Sequence, residues 1–337
     1  MARIGWFLGV MALGLAMLST LGCGPQKQPS KLPAASTPPP AGADPQSQAS
    51  QIVLDGLADP DPQIRANAVE VVATTKQTKF LPRVQKLLTD EAIPVRFLAI
   101  MTMGDLQYTQ VSNEVGQALN DPNPNIKMAA AYAMMKFGDP KFYKVFRDQV
   151  TSEDQTVRAN AALLLGKTDQ KDAIRFLYWV LQRPDSADKV VLQALEAIAM
   201  HHDERIYPKL WSRLISAYAD DRLLGIRAMG ALGTEQAKNA ITTMLDDNIL
   251  EVRLAAAEAL GRLGEPVGQA KVAEAFDKNL LADLDQESQH RVKVLAALAI
   301  GEIGSGPLTR HLPQLLRDPS VPVRLAAAKA VLRLAAK

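Results

Sequence analysis

Three groups of side chains in this sequence have types and spacings that could do chemistry. Basic residues recur at Arg65, Arg96, Lys127, Arg158, Arg253, Lys293 and Arg324. Acidic residues stand six places before the same recurring position, at Asp59, Asp90, Asp121, Asp185, Asp247, Glu287 and Asp318. A basic ladder of this kind can hold phosphate or an acidic partner. With acids at matching places, the reading preferred here is internal pairing, each base bonded to the acidic turn of its own or a neighbouring unit. The second group is one residue, Cys23, the only cysteine. The third is His201-His202-Asp203-Glu204. Adjacent histidines on a helix diverge by about 100°, so one metal ion is not easily shared between them, and they are read as loop residues. No metal site is expected.

The chain has no nucleophile-elbow serine, phosphate loop or zinc-protease helix. Gly301-Glu302-Ile303-Gly304-Ser305-Gly306 lacks the preceding strand that a phosphate cradle needs, and reads as a helix end and turn. The expectation is a protein that is not an enzyme and uses no cofactor.

Composition narrows the class. Of 337 residues 47% are apolar but only 5% aromatic, which suits small-residue helix packing. A formal charge of +2 argues against a dedicated nucleic-acid binder. One cysteine excludes a disulfide framework and a cysteine metal site.

The N-terminus reads as an address. Arg3 is the only charge before Cys23, and Ile4–Met17 is apolar apart from glycines. Ser19-Thr20-Leu21-Gly22-Cys23 follows, so charged, apolar and cleavage regions stand in the order of a secretory signal over residues 1–22. The end resembles a lipobox, the bacterial lipoprotein cleavage motif, although Thr20 stands where leucine is usual. That resemblance implies lipid on Cys23 and a membrane tether on the extracytoplasmic side of the cell envelope. Residues 23–50 then form a linker. Gly24–Ser50 has seven prolines in 27 residues, a composition that cannot bury enough surface to fold. At about 3.1 Å per residue it would reach roughly 80 Å.

From residue 51 to 337 one cassette recurs: an acidic turn, an aliphatic residue, a base, then an alanine-rich helix. Anchored on the basic position, the copies fall at Arg65, Arg96, Lys127, Arg158, Val191, Gly225, Arg253, Lys293 and Arg324, spaced by 31, 31, 31, 33, 34, 28, 40 and 31. Three places after each anchor stand Ala68, Ala99, Ala130, Ala161, Ala194, Ala228, Ala256, Ala296 and Ala327. A small residue at one register of an amphipathic helix marks where two helices approach closely. A second amphipathic helix precedes each cassette, and Asp-Pro pairs between the two supply a cap and a first-turn proline. A pair of about 31 residues cannot bury its own faces, so neighbours must stack.

The pattern resembles the short HEAT-like repeats of phycobilisome-lyase-type and many bacterial scaffold proteins. It implies an all-α fold, a right-handed α-solenoid of about nine two-helix repeats. Two kinds of enzyme share such repeats. Bilin lyases would not share a compartment with an exported chain, and DNA glycosylases need a basic, aromatic groove. The expected function is therefore a non-enzymatic protein–protein interaction scaffold, tethered to the bacterial cell envelope as a lipoprotein. An enzyme or lyase relative using the concave groove is the alternative.

The partner, a protein or peptide of the envelope, is expected on the concave stripe of repeats 2–4. Phe97, Met101, Met128, Tyr132 and Leu163 stand where other repeats carry charge, with Lys136 and Lys167 on the rim. Exposed contiguous apolar surface marks interaction sites; tighter curvature that buries the stripe is the alternative. Tyr178, Trp179, Trp211 and Tyr218 on the first helices of repeats 5 and 6 are read as packing a bend, with a second contact site as the other reading. The last helix, Val323–Ala336, has apolar faces and no capping helix after it, which would leave an open end for homo-oligomerisation.

Overall fold

The computed structural model describes residues 44–278, 280–282 and 284–336. The expected signal peptide, Cys23 and most of the linker lie outside these residues. The body starts earlier than residue 51. Asp44 accepts a hydrogen bond from the Ser47 amide and caps a helix, Pro45–Leu57, whose Ala49, Ile52 and Val53 are buried.

Every described element is helical, and the elements form nine pairs. Their second helices are α1 (Pro62–Thr75), α2 (Ile93–Asp105), α3 (Pro124–Lys136), α4 (Gln155–Gly166), α5 (Asp188–Met200), α6 (Ala219–Leu232), α7 (Leu250–Arg262), α8 (Gln286–Ile303) and α9 (Val321–Leu334). Each packs on the next, forming the inner layer of an α-solenoid. The shorter first helices, several of which begin or end in 3-10 turns, form the outer layer.

The turns between layers follow from the aspartates. Asp59, Asp90, Asp121, Asp247 and Asp318 each accept a hydrogen bond from the amide two residues on, at 2.8–2.9 Å. These are side-chain-closed turns. The cap itself comes two residues later. Asp61 accepts from Gln63 N and precedes Pro62, and Asn123 does the same before Pro124. All nine alanines expected at that register, from Ala68 to Ala327, are buried. Where inner helices converge most tightly even alanine is too large: a Cβ on Gly166 would lie 2.7 Å from Ala197 Cα.

The solenoid closes on itself. α9 packs against Pro45–Leu57 and α1, so repeat 9 meets repeat 1 and the inner helices form a ring. Gly56 makes room, since a Cβ there would stand 3.1 Å from Leu325 Cδ2. Lys329 of α9 bonds Glu70 of α1 at 3.0 Å. The expected open C-terminal end is thereby corrected. Leu325, Ala328, Val331 and Leu332 are buried because the first repeat serves as the cap for the last. Part of the spacing of 40 before Lys293 also has its reason: α8 is 18 residues long and begins seven places ahead of Lys293, where the other inner helices begin three places ahead of the ladder position.

Candidate binding site

The basic ladder is internal. Arg65 donates to the Asp59 and Pro60 carbonyls of its own turn and, through two nitrogens, to Asp90 of the next repeat at 2.7 and 2.8 Å. Arg158 repeats this with Ser152 O and Asp185, Arg253 reaches Asp247 O, and Arg324 reaches Asp318 O and Pro319 O. Arg96 bonds its own turn carbonyls, and Lys293 pairs with Asp318 at 2.7 Å. Lys127 is exposed. Burial pushes the Asp90 carboxyl up. The bonds from Arg65 and the Ala92 amide outweigh it and leave Asp90 below the usual carboxylate range.

One anchor is corrected. In repeat 6 the position belongs to Arg222 and not Gly225. Arg222 donates to the Ser216 and Ala217 carbonyls and pairs with Asp247 at 2.7 Å, the same pattern as Arg65. Gly225 instead occupies the register of the small residue, 3.0 Å (from a built Cβ) from Leu214 N of the outer helix. Counted from Arg222, the steps from Val191 and to Arg253 are both 31. The slip arose because α6 also offers Leu224, Ala228 and Leu232, an apolar pattern displaced by about one turn that mimics the true one.

The expected groove on repeats 2–4 is filled core. Phe97, Met101, Met128, Tyr132 and Leu163 are all buried. These large side chains of α2, α3 and α4 fill that side of the bore. The Tyr132 hydroxyl donates to Asp105, which also pairs with Lys167 at 3.0 Å. Burial, then the Asp105 charge, pushes the Tyr132 phenol far above its usual range. The Lys136 ammonium lies over the Tyr132 ring, 5.8 Å from its centroid. The stripe is therefore stabilising structure, and the partner site assigned to it is withdrawn.

Along repeats 5–9 the bore stays open as a cavity of about 1000 Å³, its far end reaching Lys76 of repeat 1, Asp105 of repeat 2 and Lys167 of repeat 4. Its wall is layered, because the inner helices run side by side and the same register recurs in each. At the mouth, two places before the ladder position, stand Asp220, Glu251 and Arg291, with exposed Tyr218 beside them. Next comes an apolar collar of Leu223, Leu224, Ala255, Val294 and Leu295. Deeper, at five to nine places after the ladder position, lie Glu196, Arg227, Glu258, Arg262, Glu302, Lys329 and Arg333. At about 1.5 Å per residue the layers span roughly 16 Å.

The deep charges compensate one another apart from Lys76, which has no ion pair among the described residues. Arg227 bonds Glu196 at 2.8 Å, Arg262 bonds Glu258 and approaches Glu302, and Arg333 meets Glu302 at 2.6 Å. With Lys329–Glu70 this gives four acids against four bases. Burial raises Glu70 and Glu302 above the usual carboxyl range despite these partners. The mouth is unbalanced. Arg291 is shared between Glu251 and Glu287, at 3.6 and 3.3 Å, while Asp220 has no ion pair among the described residues.

The outer face has one feature of its own. Trp179 and Trp211, each 38% exposed, Ile215 at 63% and Tyr218 at 74% all belong to repeats 5 and 6. Tyr178 is partly buried against the core, as a bend-packing role requires, whereas the other three aromatics are not. His201 bonds Leu165 O and His202 bonds Leu232 O, each at 3.0 Å, so the two rings tie repeat 5 to its neighbours on either side. Among the described residues no His, Cys, Asp or Glu group could hold a metal, and no helix is long and apolar enough to cross a membrane.

Family comparison agrees with this architecture. The model of HEAT repeats matches residues 50–113, 93–155 and 207–280, more than half of the chain. No curated protein matches the sequence. Among solved structures, human deoxyhypusine hydroxylase is similar at 19% identity over 79% of this chain and 99% of its own, with a TM-score of 0.37. The CpcE–CpcF complex of phycocyanin lyase from Nostoc is similar at 20% identity over 69% and 92%, with a TM-score of 0.39. The karyopherin Kap121p bound to the extreme C-terminus of Cdc14p is similar at 14% identity over 85% and 37%, with a TM-score of 0.34. These likenesses concern the fold alone.

Proposed function

Because the chain belongs to the HEAT-repeat family, we propose that it is a non-enzymatic protein-binding scaffold, held at the bacterial cell envelope by lipid on Cys23. The partner contacts the rim of repeats 5 and 6. The observation that carries this reading is the concentration of exposed large apolar side chains there. Trp179, Trp211, Ile215 and Tyr218 are four of the six on the whole described surface. Tryptophan, tyrosine and nearby arginine are the side chains enriched at protein interfaces. Arg183 lies over the Trp179 ring and Arg205 over Tyr178, at 4.8 and 5.2 Å. The tether rests on the order of charged, apolar and cleavage regions before Cys23.

Crosslinking in intact cells tests both parts. The native chain is compared with Trp211→Glu/Ile215→Glu and with Cys23→Ser. The double variant should lose a specific crosslinked protein while keeping its melting temperature. Cys23→Ser should move the chain from the membrane to the soluble fraction. Unchanged crosslinks in the folded double variant would reject the rim as the binding face. Membrane retention of Cys23→Ser would reject the lipid tether.

A further inference from the structure

The cavity opens beside that rim, with Tyr218 at the edge of both, and its chemistry is specific. Its volume of about 1000 Å³ lies at the upper end of the range of small-molecule pockets, about 300–1,000 Å³. A ligand with a net charge gains little from the deep layer, where Glu70, Glu196, Glu258 and Glu302 are matched by Arg227, Arg262, Lys329 and Arg333. The collar above it, formed by Leu223, Ala255, Val294 and Leu295, offers apolar wall to an apolar body.

Two places carry an uncompensated sign, the far end with the base Lys76 and the mouth with acid in excess. Among the residues lining the mouth, Asp220 and Glu251 face a single base, Arg291, which Glu287 outside the cavity also engages, leaving one carboxylate in excess. Tyr218, exposed at the same mouth, presents a ring. A carboxylate beside an aromatic face is the arrangement that favours a weakly hydrated cation, by charge and by attraction to the ring quadrupole.

We propose that the ring cavity is a binding site for a cationic amphiphile, its alkylammonium head held at the mouth by Asp220, Glu251 and Tyr218 and its apolar body in the collar of α6, α7 and α8. The deep charged layer sets the length of the apolar body, because a longer tail would have to break paired, buried ions. The site shares Tyr218 with the edge of the partner rim and does not need the lipid on Cys23.

The test uses the full chain carrying Cys23→Ser and three probes of one chain length: octyltrimethylammonium, octyl sulfate and octyl glucoside. Each is titrated calorimetrically below its micellar concentration. The ammonium probe should bind about tenfold more tightly than the sulfate, with the glucoside between them. Asp220→Asn/Glu251→Gln should collapse that ratio to about one, and Tyr218→Ala should weaken the ammonium probe several-fold; neither should shift the melting temperature. Leu223→Trp, which fills the collar, should abolish binding of all three. Equal or tighter binding of the sulfate overturns the assignment, as does absence of binding by every probe. Should Leu223→Trp not fold, an unchanged ammonium affinity in Tyr218→Ala and in the Asp220/Glu251 variant overturns it alone.

Discussion

Lys329 on the last inner helix and Glu70 on the first are bonded at 3.0 Å across 259 residues of sequence. Both side chains are nearly inaccessible, so the pair forms the polar part of the ring closure, beside the contact of Leu325 with Gly56. Removing one member of a buried pair leaves an uncompensated charge, which costs about 3–5 kcal/mol. Lys329→Met should therefore destabilise strongly, and adding Glu70→Gln should recover much of the loss. A double-mutant cycle in urea measures this. Additive losses would mean that the ring ends are held by apolar packing alone.

Arg222 and Gly225 separate two registers for repeat 6. Arg222→Ala should cost about 3 kcal/mol, because it strips the partner from Asp247 and leaves the turn carbonyls of Ser216 and Ala217 unbonded. Gly225→Arg, which would restore a ladder base in the displaced register, should instead destabilise, since a Cβ there already crowds Leu214 N and Arg213. Thermal melts of the two variants decide between the registers. A more stable Gly225→Arg would contradict the one drawn from the structure.

Met101 and Tyr132 are core residues, so their variants should report on folding. Met101→Glu places a carboxylate in a fully buried position, and the protein should fail to accumulate. Tyr132→Phe should cost about 1–2 kcal/mol for the lost bond to Asp105, which keeps Lys167. Circular dichroism melts read both. A stable, folded Met101→Glu would reopen the groove on repeats 2–4.

Asp90 and Glu70 predict opposite pH behaviour. Asp90 is held below its ordinary value of 3.8, so its contribution is present above that pH and is lost as pH falls through the lower folded value. Asp90→Asn should flatten the acid limb of stability below about pH 4. Glu70 is raised above 4.5 by burial. The folded state holds its proton more tightly, so stability attributable to Glu70 declines as pH rises from 4.5 through the folded value. Glu70→Gln should remove that decline. Urea midpoints between pH 3 and 7 test both signs, and a common slope for the two variants would contradict them.

The repeat, its all-helical character, the buried alanines from Ala68 to Ala327 and the internal pairing of Arg65, Arg158 and Arg324 were legible in the residues themselves. Each is a local matter, set by a 3.6-residue period and by an aspartate turn a few places before a base. The register of repeat 6 was misread at Gly225 because two apolar patterns overlap there, and only the bonds of Arg222 distinguish them. Whether the ends of the array meet is not a local property. It depends on a small rotation accumulated over nine repeats, which close approaches such as Gly166 on Ala197 adjust by fractions of an ångström. That sum joined Lys329 to Glu70 and covered the C-terminal helix. Met101 and Tyr132 fill one side of the bore, and the layered cavity stays open along the other.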